Sequence, residues 1–100
     1  MMLQLQHIVR QLKATEPELR RRGVAHLSLF GSQVRGEASD DSDIDVAVEI
    51  EPGHSFSLIA TEDTRLLLED VLGRPVDLGE VDSFRPALRP AFERDQIRVF

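Results

Sequence analysis

Hydrophobic residues in the first third of the chain change from a helical spacing to the continuous run of a strand. Residues 2–13 carry them at intervals of three and four, which predicts an amphipathic helix. Residues 17–22 predict one or two further helical turns that end at Gly23. Residues 24–30, VAHLSLF, form a short apolar run between two glycines, which is typical of a buried strand.

The middle of the chain combines a brief helix, a polar loop and an alternating strand. Residues 32–35 leave room for a short helix before Gly36, and residues 37–42, EASDDS, predict a polar loop. Residues 43–50, DIDVAVEI, alternate strictly, which predicts a strand with two unlike faces. One face carries Ile44, Val46, Val48 and Ile50, and the other carries Asp43, Asp45, Ala47 and Glu49. The acidic face therefore cannot be the face that packs on the core.

The last part of the chain returns to a helical period and then alternates short strands with a short helix. Residues 56–72 predict a helix, and residues 75–78, PVDL, predict a strand whose proline occupies the permitted first position. Asp77 lies on the opposite face of that strand from its two apolar neighbours. Residues 86–94 predict a short helix, and residues 97–100, IRVF, predict a final strand.

This order of elements predicts an α/β (α+β) fold. We expect a small mixed β-sheet of about four strands with helices packed on one face. Part of the other face is expected to stay open for Asp43, Asp45 and Asp77. One hundred residues are enough for one small domain and too few for two, so a single domain spanning residues 1–100 is expected.

Composition narrows the class of protein. With 41% hydrophobic and 30% charged residues, the chain has the composition of a soluble globular protein rather than a disordered one. The absence of cysteine excludes disulfides and thiolate zinc sites. No apolar stretch approaches the roughly 20 residues of a membrane span, and the N-terminus lacks the features of a signal peptide, so a cytoplasmic location is expected. A net charge of −6 argues against general nucleic-acid binding.

Acidic residues concentrate in the middle of the sequence. Between Arg35 and Arg65 there is no Lys or Arg, whereas that interval holds nine acids. Asp43 and Asp45 share one face of a strand at about 6 to 7 Å along the chain, and Asp77 on a neighbouring strand can complete a cage. Carboxylates without His or Cys select Mg²⁺ or Mn²⁺ over Zn²⁺. Because Mg²⁺ usually keeps sites for water and phosphates, a nucleoside triphosphate is the predicted partner.

The Gly31-Ser32 pair lies where a predicted strand ends and a short helix begins. Backbone N–H groups at such a junction bind anions, glycine allows close approach of a phosphate, and the serine hydroxyl adds a donor. We therefore expect Gly31 and Ser32 to hold the distal phosphates. Arg35 is expected either to contact a phosphate or to brace the loop by pairing with a nearby acid, and bracing is slightly favoured.

Two other phosphate- or metal-binding motifs fail by position. The two glycines in GSQVRGEA have the separation of a P-loop, but Glu37 and Ala38 stand where Lys and Ser or Thr are required. An EF-hand loop beginning at Asp41 would place Val46 at the obligatory glycine and Pro52 at the bidentate glutamate. Neither a Walker motif nor a calcium-sensing loop is predicted.

The stretch FGSQVRGEASDDSDIDV (30–46) resembles the signature of the DNA polymerase β-like nucleotidyltransferase superfamily, in which ten residues separate Gly-Ser from Asp-x-Asp. Its fuller pattern, Phe-Gly-Ser-x-x-Arg-Gly with Ser-Asp-Ile-Asp, is similar to the minimal nucleotidyltransferase (MNT) subfamily. LGRPVDL (72–78) resembles the later segment of that subfamily, which carries the third acid. The resemblance covers nearly the whole chain.

The resemblance implies transfer of a nucleoside monophosphate from a triphosphate to a hydroxyl, with pyrophosphate leaving. It implies that Asp43 and Asp45 bind two Mg²⁺ ions and that Asp77 helps to hold the ion nearest the acceptor. Gly79-Glu80-Val81-Asp82 departs from the longer apolar strand expected there, so the third strand is predicted to be short. Asp82 is a weaker candidate for the third ligand.

MNT proteins often act as antitoxins paired with a HEPN-domain ribonuclease. The resemblance therefore implies transfer of AMP from ATP to a tyrosine of a HEPN toxin, and a complex or mixed oligomer with that toxin. Two alternatives stay open: a binding module that neutralises the toxin without catalysis, and a transferase acting on a small-molecule hydroxyl. The intact motif favours the enzyme. Arg20, Arg21 and Arg22 are interpreted as cations at a helix C-terminus, where they are favourable in any case.

Overall fold

The computed structural model describes residues 2–36 and 42–100, and in that part of the chain helices and strands alternate. The elements are α1 (Met2–Lys13), α2 (Glu16–Arg21), β1 (Val24–Phe30), α3 (Ser32–Arg35), β2 (Ile44–Ile50), α4 (Leu58–Leu72), β3 (Val76–Glu80), a 3₁₀ turn (Val81–Ser83), α5 (Arg89–Asp95) and β4 (Ile97–Arg98). The strands form one sheet in the order β3-β2-β1-β4. β1 is antiparallel to β2 and β4, and β2 is parallel to β3, so the predicted fold class is confirmed.

Helices α1, α2 and α4 cover one face of the sheet. Their buried side chains pack on the apolar face of β1 and β2 in a single cluster; its fully buried members include Leu12, Leu19, Leu27, Leu29, Ile44, Val46, Val48 and Leu68. A hydrogen bond from Gln11 Nε2 to the Val71 carbonyl oxygen, 3.1 Å, ties α1 to α4. The predicted alternation along β2 is confirmed, because Ile44, Val46 and Val48 belong to this cluster and Ile50 packs against it.

A smaller cluster covers part of the other face. Ala47, Val81 and Phe92 are buried there, and Phe30 and Phe84 pack against them. The three phenylalanine rings lie 5.2–5.5 Å apart between centroids in tilted and edge-to-face arrangements, which aromatic pairs prefer. This cluster fixes α5 on the sheet. Asp43 and Asp77 stay exposed and Asp45 is half-buried on the same face.

Strand β3 is longer than the sequence predicted. It continues to Glu80 because Gly79 and Glu80 pair with Ala47 and Val48 of β2. This pairing extends the strand although residues 79 and 80 have no apolar pattern of their own. Gly79 also makes room for Phe84, because a Cβ atom at residue 79 would lie 2.6 Å from Cε1 of that ring.

Helix α5 begins later than the predicted start at residue 86. The chain first makes a turn, in which the Leu88 N–H donates to the Arg85 carbonyl oxygen at 2.8 Å, and the helix starts at Arg89. Pro90 lies in the first helical turn, where its missing N–H removes no helical hydrogen bond. The predicted loop at residues 37–42 falls almost entirely outside the described residues. Within the described ranges, no helix combines the length and the apolar character needed to cross a membrane.

Candidate active site

Parallel pairing of β2 and β3 places two carboxylates side by side. Asp45 lies directly opposite Asp77 in the register, and Ile44 lies opposite Val76. Because neighbouring strands are about 4.8 Å apart and alternate residues share a face, both side chains leave the same face of the sheet. Asp43 precedes β2 by one residue and is close enough to act electrostatically on Asp45. The three aspartates predicted from the sequence are therefore brought together.

The electrostatic environment of Asp45 shows an excess of negative charge. Burial raises the pKa of Asp45 above its usual value, and the charges of Asp77 and Asp43 raise that pKa further. The positive charge of Arg35 and a hydrogen bond from the Ser32 backbone N–H lower it without reversing the shift. A bound cation would remove this unfavourable charge.

Gly31 lies against the carboxylate of Asp45. Its φ of 76° belongs to the left-handed region that side chains disfavour. A Cβ atom at residue 31 would also lie 2.1 Å from Asp45 Oδ2. Both facts require glycine at the end of β1, and the next residue, Ser32, donates its backbone N–H to the same carboxylate. The Gly-Ser pair and the strand carboxylates therefore form one site.

The donor chemistry suits an oxygen-preferring divalent cation. Asp45 and Asp77 present carboxylates on adjacent strands, and Asp43 adds a third nearby, which is the ligand type that Mg²⁺ and Mn²⁺ favour. As the side chains stand in the described part of the chain, they do not form a preassembled group of three or more metal ligands.

A cavity of about 320 Å³ opens beside Asp77. Gly31, Arg35 and Asp77 line it together with an apolar wall, and that wall consists mainly of Phe30, Phe84, Leu88, Ala91 and Phe92. Sequence reasoning did not assign these apolar residues to the site. The available signal was Leu88 and Phe92 at helical spacing, which a small core explains equally well.

The remaining candidates take clear positions. Asp82 is exposed on the 3₁₀ turn beyond β3, whereas Asp77 is the acid that faces Asp45. Arg35 lies beside the carboxylates, as expected for either of its predicted roles. The three consecutive arginines pair with acids of α2: Arg20 with Glu16 at 2.7 Å, Arg22 with Glu18 at 3.3 Å, and Arg21 also with Glu18. Their interpretation as helix-terminal cations agrees with these pairs.

Comparison with known proteins gives the class of this chain. The nucleotidyltransferase domain family matches residues 12–99. The protein adenylyltransferase MntA of Thermococcus cleftensis is 38% identical over 99 residues, which is 98% of each chain. A solved structure of a protein assigned as a minimal nucleotidyltransferase has a TM-score of 0.78 and 33% identity over 93% of both chains. A chain of a toxin-antitoxin crystal structure with AMP-PNP has a TM-score of 0.73 and 25% identity, covering 90% of this chain and 72% of that one.

This chain belongs to the nucleotidyltransferase domain family. It is a nucleotidyltransferase, and the family and the fold predicted from its motifs are confirmed.

Proposed function

We propose that this chain, as a single domain spanning residues 1–100, transfers AMP from Mg-ATP to a tyrosine hydroxyl of a HEPN-domain toxin and so acts as its antitoxin. The observation that carries the proposal is the register of Asp45 opposite Asp77, with Gly31 against Asp45. The relative from T. cleftensis, which matches along nearly its whole length, is named a protein adenylyltransferase. The toxin-antitoxin relative with AMP-PNP supports both the toxin partner and the nucleotide.

Each site residue has a proposed role. Asp43, Asp45 and Asp77 would together hold the divalent cations that the transfer needs. When bound, these cations neutralise the triphosphate and lower the pKa of the attacking hydroxyl. The acceptor hydroxyl loses its proton to solvent, its oxygen forms a bond to the α-phosphorus, and the bond from that phosphorus to pyrophosphate breaks.

The residues at the end of β1 serve the phosphates. Gly31 lets them approach the backbone without a steric clash, and the Ser32 hydroxyl donates to them. Arg35 offsets the charge of the carboxylates, which agrees with its lowering of the pKa of Asp45. A cytoplasmic location, where ATP is available, remains the expected place of action.

Intact mass spectrometry of a HEPN-domain toxin tests the proposal. The HEPN protein is incubated with this chain and Mg-ATP, and we expect mass increments of whole AMP units that peptide mapping places on tyrosine. Asp43→Asn and addition of a chelator should each abolish the increments. Asp63→Asn should not, because it removes a carboxylate from an exposed position on α4 instead.

The negative results separate the alternatives. A stable complex of the two proteins without any mass increment would replace the enzyme with a non-catalytic binding module. If the experiment shows neither a mass increment nor a complex, the toxin is rejected as the acceptor. Small-molecule hydroxyls are then the acceptors to test.

A further inference from the structure

The backbone ahead of β2 determines where Asp43 points. Asp43 precedes Ile44, the first residue of the strand, so the ladder between β1 and β2 does not hold it directly. Its side chain is exposed, so packing does not fix it either. Its position must therefore come from contacts made by the residues on each side of it.

Arg74 and Pro75, the two residues immediately before β3, make those contacts. Arg74 Nη2 donates to the Ser42 carbonyl oxygen at 2.8 Å, and the Ile44 N–H donates to the Pro75 carbonyl oxygen at 2.9 Å. The residues on both sides of Asp43 are thus held by hydrogen bonds, Ser42 by Arg74 and Ile44 by Pro75. The proline ring fixes its own φ, which stiffens the segment that makes both contacts.

The same segment is anchored to α4 and leads directly to Asp77. The Val76 N–H donates to Glu69 Oε2 at 2.9 Å, and Arg65 Nη1 donates to that same oxygen at 2.7 Å. Asp77 follows Val76 immediately. One short connection between α4 and β3 therefore sets both the backbone at Asp43 and the position of Asp77.

We propose that Arg74 is a positioning residue, which holds the Ser42 carbonyl so that the Asp43 carboxylate faces the same cation as Asp45 and Asp77. This role rests on the proposed metal-dependent function. In this role Arg74 touches neither the cation nor a carboxylate ligand, and it orients Asp43 through the backbone of the preceding residue, Ser42.

Binding of Mn²⁺ alone, followed by electron paramagnetic resonance on nucleotide-free protein, tests this role. We expect Arg74→Met to weaken binding by roughly 10-fold, the lower end of the effect of losing a direct hydrogen-bond partner of a ligand, because Arg74 acts on Asp43 through the neighbouring residue. Arg74→Lys keeps a donor and should fall between the wild type and Arg74→Met. In an Asp43→Asn background, Arg74→Met should cause little further loss, because the residue through which it acts is already altered.

Arg20→Met is the matched control. Arg20 also donates to a backbone carbonyl oxygen, that of Ala25 at 3.1 Å, but near the end of β1 remote from Gly31. This variant should lose stability in urea without weakening Mn²⁺ binding. If Arg74→Met fails to fold, Arg74→Lys carries the same comparison.

Three results would overturn the role. Unchanged Mn²⁺ affinity in both Arg74 variants would show that Asp43 needs no such support. An equal loss of affinity in Arg20→Met would assign the effect to general destabilisation. A wild-type protein that binds no Mn²⁺ would reject the proposed metal site, and the positioning role with it.

Discussion

The two faces of strand β2 differ in their effect on the protein, although their residues alternate along one backbone. Ile44, Val46 and Val48 are fully buried under the helices. Asp43 and Asp45 leave the other face, where burial and neighbouring carboxylates raise the pKa of Asp45. The apolar face contributes stability through burial, whereas the acidic face carries unfavourable charge because its carboxylates form the candidate active site. A rigid strand thus supports a site that is itself destabilising.

Changing Asp45 to Asn should have the largest effect, and the effect should fall on activity. A bound metal contributes several kcal/mol to the transition state, so its loss should lower the transfer rate by roughly 1,000-fold, at about 1.4 kcal/mol for each factor of ten. Steady-state measurement of AMP transfer with Mg-ATP gives this rate. Asp63→Asn should keep the wild-type rate, and full activity in Asp45→Asn would place the metal site elsewhere.

Changing Leu27 to Ala tests the apolar face of the sheet, because Leu27 of β1 packs in the same cluster as the apolar residues of β2. Here the effect should fall on stability. Leu27 is fully buried, so we expect a loss of about 2–5 kcal/mol in the free energy of unfolding. Urea denaturation measures it. Leu66 on α4 is 50% exposed, so Leu66→Ala should change stability by less than about 1 kcal/mol. Equal losses in the two variants would contradict the assignment of the core to this face.

Changing Gly79 to Ala tests the small aromatic cluster beside the site. The new Cβ would lie 2.6 Å from Cε1 of Phe84, so the ring must shift and disturb its packing on Phe30 and Phe92. Overpacking of this kind costs about 1–3 kcal/mol, measured by urea denaturation. Adding Phe84→Leu should recover part of the loss, because the smaller side chain relieves the clash. Strictly additive losses would show that Gly79 and Phe84 do not interact in this way.

The division between the two faces was predictable from the sequence because it depends on local period. The alternation of residues 43–50 alone separates the buried set from Asp43 and Asp45. The glycine at residue 31 and the acids at residues 43, 45 and 77 could be selected as candidates by residue type and spacing. Their assembly into one site required the pairing of β2 with β3, which brings together residues more than thirty positions apart.

Features that depend on distant partners were not predictable. β3 extends through Gly79 and Glu80 because β2 pairs with them, although their own side chains give no strand pattern. The contact between the Gly31 backbone and the Asp45 carboxylate follows from the register of β1 and β2, in which Phe30 faces Asp45. Likewise, nothing local to Arg74 reveals that its side chain reaches the Ser42 carbonyl.

The smallest expected effect is a gain in stability from the same Asp45→Asn change in metal-free protein. The pKa of Asp45 is raised in the folded state, so the folded protein keeps this proton at a pH where the unfolded chain has lost it. Stability contributed by this group therefore falls as pH rises from about 4, the usual pKa of an unfolded aspartate, through the higher folded value. Asp45→Asn does not undergo this loss. The difference in free energy of unfolding between the variant and the wild type should therefore grow across that pH interval and stay constant above it.

Because Asp45 is only half-buried, water screens its charge and the gain should stay below about 1 kcal/mol. Melting curves in chelator over that pH range measure the difference between the variant and the wild type. Asp63→Asn removes the same formal charge from an exposed position on α4 and serves as the control for the loss of one negative charge. Added Mg²⁺ should stabilise the wild type and leave Asp45→Asn almost unchanged, which would reverse the order of the two proteins. A variant less stable than the wild type at every pH would mean that Asp45 supports the fold, and the contrast between the two faces of β2 would then fail.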